Sequence, residues 1–308
     1  MGKTAFLFPG QGAQKLGMGK EFVDEFSEAR LIFEEASDAL SMDMESLCFS
    51  DPEGKLNLTE FTQPAILTTS IAILRVLEAH GLQADCAAGL SLGEYAALVY
   101  AKAFDFSTAV QLVRVRGRLM QDAVPAGRGG LAAVVGLPIE TIEKLVAETR
   151  DGFVKIANYN TPMQTVVGGE IQALEGFVLR AKEAGAKIAS LLPVSAPFHT
   201  EMLKPAQVGL SKELESIKIN PLEVPVYANV LGGLYSGQDQ VKALLAEQVA
   251  SPVRWVSIMN ALLADEVNTF IEIGPGKTLT GFVKRFDKSK NSYAVENLKG
   301  LSKLLKTK

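Results

Sequence analysis

Gly89-Leu90-Ser91-Leu92-Gly93 sets one serine midway between two glycines, directly after the apolar run that ends in Ala87-Ala88. A hydroxyl that must stand clear of the backbone is carried on a tight strand-to-helix turn, where glycines allow the two arms to approach closely. The spacing predicts a strand over 84–88 and a helix from about Gly93 through Glu94-Tyr95-Ala96-Ala97-Leu98. That helix would leave unpaired N–H groups beside the serine. On the sharper reading Ser91 forms a covalent ester with its substrate; on the plainer one it is an incidental serine in an ordinary junction.

The flanking chain has the matching alternation. Thr4–Phe8 reads as a buried strand running into Pro9-Gly10-Gln11-Gly12-Ala13-Gln14, with helical patterns at about 19–41, 63–80 and 107–122. Strand, helices, strand, helix predicts an α/β architecture with a parallel sheet. The pattern changes after Pro125-Ala126-Gly127-Arg128-Gly129. Strands are expected at 130–136, 153–159, 165–167 and 186–189, with helices at 138–150 and 170–184. The order β-α-β-β-α-β is that of a ferredoxin-like unit.

From about 197 the chain returns to longer helices, at 200–216, 238–248 and 253–264, with strands at 225–228 and 269–273. The expected division is a discontinuous large domain, 1–125 with 197–308, and an inserted small domain, 126–196. Three small-residue loops, at 9–14, 89–93 and 274–276, each follow a predicted strand. Open parallel sheets place their sites at such strand ends, so the loops are expected to share one crevice.

With 308 residues, 47% of them hydrophobic, the chain can build one large core and a smaller one. A net charge of −4 provides no general field for nucleic acid. No apolar stretch has the length of a membrane span and no signal-peptide pattern opens the chain, so a cytoplasmic protein is expected. The lysines of 299–308 read as a solvated tail. Two cysteines, Cys48 and Cys86, two histidines and no C-x-x-C make neither a disulfide framework nor a zinc constellation, and no metal is expected.

A serine nucleophile needs a base. His80 stands just before Gly81 at a helix end, where an imidazole caps carbonyls; His199, in Ser195-Ala196-Pro197-Phe198-His199, lies where the chain re-enters the large domain. His199 is therefore the expected base. Asp105, Asp122 and Asp151 lie between Ser91 and His199 without special context. Either a carboxylate or a neutral carbonyl could orient the imidazole. Oxyanion stabilisation falls to backbone N–H groups, that of Leu92 and one from the Gly10-Gln11-Gly12 loop. That loop matches neither Gly-x-Gly-x-x-Gly nor a Walker pattern. Of Arg114, Arg116 and Arg118, the first and last share a helix face, and the odd one, Arg116, is the better candidate to meet an anion.

Seven ordered segments resemble the malonyl-CoA:acyl carrier protein transacylases of fatty acid synthesis and the related acyltransferase domains of polyketide synthases. They are Phe8-Pro9-Gly10-Gln11-Gly12-Ala13-Gln14, Gly89-Leu90-Ser91-Leu92-Gly93-Glu94, Arg114-Val115-Arg116-Gly117, Tyr159-Asn160, Pro197-Phe198-His199, Gln248–Trp255 and Glu272-Ile273-Gly274-Pro275-Gly276. The resemblance implies an α/β-hydrolase-like large domain with a ferredoxin-like insertion. It implies Ser91 as acylated nucleophile, His199 as base, the Gln248 main-chain carbonyl as its orienter, and the N–H groups of Gln11 and Leu92 as the oxyanion hole. Arg116 would grip the malonyl carboxylate, Asn160 would line the thioester channel, and Phe198 would crowd out an α-methyl branch.

The partners implied are malonyl-CoA and the phosphopantetheine of an acyl carrier protein, with no resident cofactor and a monomeric enzyme. A basic patch near the cleft would suit an acidic carrier. Many family members carry histidine immediately before the serine; here it is Leu90, whose side chain should point away from the hydroxyl. The competing readings are a polyketide-synthase acyltransferase, a serine hydrolase or thioesterase, and a non-catalytic carrier-binding protein.

Overall fold

The computed structural model describes residues 2–125, 127–194 and 196–307. Ala126 and Ser195, at the expected domain boundary, lie outside the described residues, as do Met1 and Lys308. The strands are β1 (Lys3–Phe8), β2 (Cys86–Gly89), β3 (Gly129–Val135), β4 (Val154–Thr161), β5 (Gln164–Glu170), β6 (Ile188–Leu191), β7 (Val226–Ala228), β8 (Gly233–Leu234), β9 (Val267–Ile273) and β10 (Asn291–Val295).

One sheet runs β10-β9-β1-β2-β7-β8, parallel throughout except for β8 against β7. In β1 the period-2 alternation of a strand sends Phe6 and Phe8 into one core and Ala5 and Leu7 into another. Both faces are thus covered, as a parallel sheet requires. The larger core takes helices Thr59–Ala79, Gly93–Tyr100 and Phe106–Asp122, while Trp255–Ala264 and Thr278–Phe286 cover the other face.

The second sheet is antiparallel, in the order β4-β5-β3-β6. Helices Ile139–Glu148 and Ile171–Glu183 bury Ile142, Leu174 and Phe177 against it in a third core. This is the β-α-β-β-α-β unit with the ferredoxin-like strand order. Its outer strand is tied to the large sheet's side of the molecule through Val253, whose N–H donates to the Ala157 carbonyl at 2.9 Å and whose carbonyl accepts from Tyr159 N–H at 2.9 Å.

Several elements differ from the sequence reading. The helix expected at 19–41 is two, Lys20–Glu25 and Ser27–Leu40, because Phe26 takes extended backbone and lays its ring edge-on to His80. Met44–Phe49 is a further short helix, capped by Asp43, whose carboxylate accepts from Ser46 N–H at 2.8 Å. The chain after 274–276 adds strand β10. The lysine-rich segment is no solvated tail: Leu298–Leu305 is a helix that buries Leu301 and Leu304, and Asn297 caps it by accepting from Gly300 N–H. Leucines three residues apart supply that apolar face, while Lys299 and Lys303 point to solvent. No helix among the described residues is long and apolar enough to cross a membrane.

Candidate active site

β1 lies between β9 and β2, so the loops following all three strands leave the same end of the sheet. A Cβ on Gly10 would stand 2.4 Å from the Leu90 carbonyl oxygen, and one on Gly274 would stand 2.8 Å from Pro9, so the 9–14 loop is wedged between the other two. At the elbow, Leu90 N–H donates to the Phe8 carbonyl at 3.0 Å. Gly89 and Gly93 are fixed by crowding: a Cβ on Gly89 would come within 1.9 Å of the Gly93 carbonyl carbon, and one on Gly93 within 2.1 Å of the Phe8 carbonyl oxygen.

Ser91, between them, has φ 53°, left-handed backbone that a side chain adopts at a cost of about 1–3 kcal/mol. Two side chains hold it there. Ser91 N–H donates to Asn229 Oδ1 at 2.6 Å, and the Ser91 carbonyl accepts from Gln248 Nε2 at 3.1 Å. Leu90, partly buried, packs against the core that contains Trp255 and Met259.

His199 Nε2 lies 2.7 Å from Ser91 Oγ, and its Nδ1 lies 2.8 Å from the Gln248 carbonyl oxygen. A carbonyl only accepts, so Nδ1 carries the proton and Nε2 presents its lone pair to the serine hydroxyl. Burial, reinforced by the charge of Arg116, pushes the His199 pKa down to about 4, against the raising effect of the Gln248 carbonyl. The imidazole is therefore neutral at pH 7, as a general base must be. His199, like Ser91, has positive φ, at 61°.

The aspartates left open by the sequence are elsewhere. Asp105 caps helix Phe106–Asp122 through Thr108 N–H, Asp122 is exposed, and Asp151 pairs with Arg180 at 3.5 Å. A neutral carbonyl orients this imidazole. His80 ends its helix with Nδ1 2.8 Å from the Val76 carbonyl.

Arg116 is the inward arginine, 1% exposed. Arg114 instead pairs with Glu60 at 3.4 Å, and Arg118 is exposed. Helix Phe106–Asp122 comes close to helix Thr59–Ala79 because Gly117 has no Cβ, which would stand 2.6 Å from the Thr59 carbonyl oxygen. Across that contact Arg116 Nη1 donates to Gln63 Oε1 at 2.7 Å; Nη2 donates to Gln248 Oε1 at 2.8 Å and to Ser91 Oγ at 3.1 Å. The guanidinium lies over the Tyr95 ring. Its partners are all neutral: among the described residues no carboxylate comes within ion-pair distance of it. A buried cation whose direct partners are all neutral, beside a serine hydroxyl, is suited to receive an anion.

Leu92 is buried beside Ser91, and Gln11 is anchored by its side chain to Thr59 Oγ1 at 3.1 Å. Their backbone N–H groups meet no acceptor among the described residues. Asn160 is buried on β4 with Oδ1 unpaired, and Phe198 is packed into the large core. A groove of about 860 Å³ reaches His199 between the two sheets' elements. Arg150, Lys155 and Lys204 line it alongside Glu143, Glu201 and Glu247, so the groove itself has no excess of positive charge. Both cysteine thiols are buried, which pushes each pKa up to about 12 and makes them inert. No cluster able to hold a metal ion occurs among the described residues.

Sequence reasoning gave no role to Gln63, Asn229, Glu94 or Tyr235. The first two bind the Arg116 and Ser91 groups directly. Glu94 accepts from Tyr235 Oη, from Asn229 N–H at 3.1 Å and from Gln248 Nε2 at 2.6 Å.

The acyl transferase domain family matches residues 5–305. The chain belongs to that family. This acyl transferase is 44% identical over 299 residues to the malonyl CoA-acyl carrier protein transacylase of Bacillus subtilis (strain 168), covering 96% of this chain and 94% of that one. The crystal structure of the malonyl CoA-acyl carrier protein transacylase from Clostridium perfringens superposes with a TM-score of 0.96 at 48% identity, covering 99% of this chain and 96% of the other. The structure of a type II PKS acyl-carrier protein in complex with its malonyl-transacylase matches with a TM-score of 0.96 at 39% identity, covering 99% of this chain and 100% of that one.

Proposed function

We propose that this acyl transferase moves a malonyl group from malonyl-CoA to the phosphopantetheine thiol of an acyl carrier protein through a Ser91 ester. The observation that carries the reading is the buried guanidinium of Arg116, 3.1 Å from Ser91 Oγ and held by neutral groups alone. A carboxylate at the far end of a short acyl group supplies the missing charge, and a bidentate contact fixes the thioester carbonyl over the nucleophile.

His199 Nε2 takes the Ser91 proton as Oγ attacks the thioester carbonyl. The N–H groups of Gln11 and Leu92 stabilise the oxyanion. The C–S bond breaks and CoA leaves as its thiol, protonated by His199, whose tautomer the Gln248 carbonyl maintains. In the second half the carrier thiol gives its proton to His199 and attacks the ester, and Ser91 leaves with that proton restored. The scheme uses no metal and no resident cofactor.

Asn160 lines the approach of the thioester, and Phe198 disfavours an α-methyl branch, so malonyl is preferred to methylmalonyl; equal turnover of the two thioesters would remove that assignment. The division into 1–125 with 197–308 and 126–196 puts the chemistry at the seam of two domains. The enzyme is read as a cytoplasmic monomer.

Intact mass spectrometry after exposure to malonyl-CoA tests the reading. One malonyl group should add to the wild type, be absent from Ser91→Ala, and be discharged by holo-carrier protein. Rapid release of free malonate without a carrier would instead make the chain a hydrolase, and failure to acylate Ser91 would make it a binding protein. The transacylase names of the relatives support transfer over hydrolysis.

A further inference from the structure

Glu94 lies in the first turn of the helix that follows the elbow, three residues after Ser91, and is fully buried. The acyl transfer itself does not use it, yet both residues whose side chains hold Ser91 in left-handed backbone are fastened to it, Asn229 by its main chain and Gln248 by its side chain. Glu94 Oε2 accepts from Asn229 N–H at 3.1 Å while Asn229 Oδ1 receives Ser91 N–H at 2.6 Å. The same Oε2 accepts from Gln248 Nε2 at 2.6 Å, and that nitrogen also donates to the Ser91 carbonyl at 3.1 Å. The other oxygen, Oε1, is held by Tyr235 Oη.

The same Gln248 amide also reaches the acyl-acid side of the site. With Nε2 of Gln248 turned to Glu94 and to Ser91, its Oε1 can only face the other way, where it receives Arg116 Nη2 at 2.8 Å. An amide has one accepting and one donating end, so the partner that takes the NH₂ decides where the oxygen points. Burial pushes the Glu94 pKa up to about 7, while Tyr235, Gln248, Asn229 and the Arg116 charge hold it down. Oε2 accepts from both donors whether or not a proton sits on Oε1, so the arrangement does not depend on titration.

We propose that Glu94 is a positioning residue for two groups at once: through Asn229 and Gln248 it sets the Ser91 backbone, and through the Gln248 amide it aims Arg116 at the acyl carboxylate. The inference rests on the malonyl-transfer reading, since only a carboxylated acyl group reports the aim of Arg116.

The test compares Glu94→Asp and Glu94→Gln with wild type, using the ratio of kcat/KM for malonyl-CoA over acetyl-CoA with a saturating holo-carrier. Glu94→Asp draws the acceptor back by one methylene, about 1.5 Å, so it no longer reaches both donors; displacements of that size cost on the order of 10²-fold. Malonyl transfer should fall by about that factor and the malonyl-to-acetyl ratio by about tenfold. Glu94→Gln keeps an acceptor oxygen at the full reach and should restore the ratio to within about threefold of wild type. A ratio unchanged in Glu94→Asp, or one lost equally in Glu94→Gln, overturns the proposal, the second outcome assigning the effect to charge.

If Glu94→Asp does not fold, Gln248→Met carries the test, because it deletes the amide and leaves the main-chain carbonyl on His199. The ratio must then fall by about tenfold, and an unchanged ratio overturns the proposal. Wild type and Arg116→Ala run alongside. A wild type without preference for malonyl refutes the reading and the inference together; a wild-type preference that Arg116→Ala abolishes and Glu94→Asp leaves intact refutes the inference alone.

Discussion

Truncating Arg116 to alanine removes the buried cation beside Ser91 and, on the proposed reading, should separate recognition of the acyl acid from the acyl chemistry. The guanidinium donates to Gln63 Oε1, Gln248 Oε1 and Ser91 Oγ, and the last of these, at 3.1 Å, is the longest of the three. A substrate carboxylate taken in two-point fashion gains two charge-assisted hydrogen bonds, about 1.5–3 kcal/mol each. Giving up the contact to Ser91 returns about 1 kcal/mol, leaving about 2–5 kcal/mol, or roughly 30- to 5,000-fold in kcat/KM for malonyl-CoA.

Acetyl-CoA has no carboxylate and draws on none of this, so its kcat/KM should change by less than about threefold or rise as the site loses its charge. The assay is steady-state transfer of both acyl groups to a holo-carrier, with a thermal melt to establish folding. A parallel fall of malonyl and acetyl transfer in a folded variant would refute the reasoning and leave Arg116 a structural role.

Protonation of His199 is disfavoured in the fold, so stability contributed at this site is unaffected above pH 6.5 and declines as pH falls towards about 4. His199→Gln should therefore flatten the acid side of the stability curve by about 3 kcal/mol in total, measured by urea unfolding from pH 7 to 4; parallel curves would contradict the assignment. Glu94 works in the opposite sense, its raised pKa favouring the folded state as pH falls from about 7 to 4.5, so the wild-type curve alone understates the histidine. Gly89→Ala puts a Cβ 1.9 Å from backbone and should cost more than about 3 kcal/mol or prevent accumulation of folded protein; a melt within a few degrees of wild type would deny the crowding. Leu90→His introduces the residue common in the family on a side chain that packs below the elbow, and should leave malonyl transfer within about threefold while costing about 1 kcal/mol of stability. A tenfold loss of transfer would show that position 90 reaches the chemistry.

The parts of the fold legible in the sequence are those written in local periodicity. The elbow, the β-α-β-β-α-β order and the odd placement of Arg116 all follow from spacing over a few residues. The two halves of the expected helix at 19–41 share one continuous apolar pattern, and only the tertiary seating of Phe26 beside His80 separates them. The final helix was hidden by its lysines, although Leu298, Leu301 and Leu304 mark its buried face. Asn229 and Gln248 lie 138 and 157 residues from the serine they hold, and a lone amide in a sequence has no periodic signal to announce such a partner. Glu94 carried a local clue, a carboxylate in an otherwise apolar buried run, Gly93–Tyr100, where a charge has no reason to be unless other residues converge on it.

The use of a carbonyl rather than a carboxylate behind His199 follows from the same electrostatics. Two opposite unit charges 4 Å apart attract by about 4 kcal/mol at an effective dielectric of 20. An aspartate behind His199 would add a negative charge to the buried cluster in which the Arg116 charge already acts on His199, and its attraction for the guanidinium would compete with that of a substrate carboxylate. A neutral carbonyl fixes the imidazole tautomer and leaves the cation unpaired. Gln248 serves both ends of this arrangement: its main chain orients the base, and its side chain lies between Arg116 and Glu94, the fully buried carboxylate of the cluster. By keeping those two groups from closing on each other, one amide leaves the guanidinium available to a substrate carboxylate on the proposed reading, and a neutral carbonyl behind His199 adds no competitor for it.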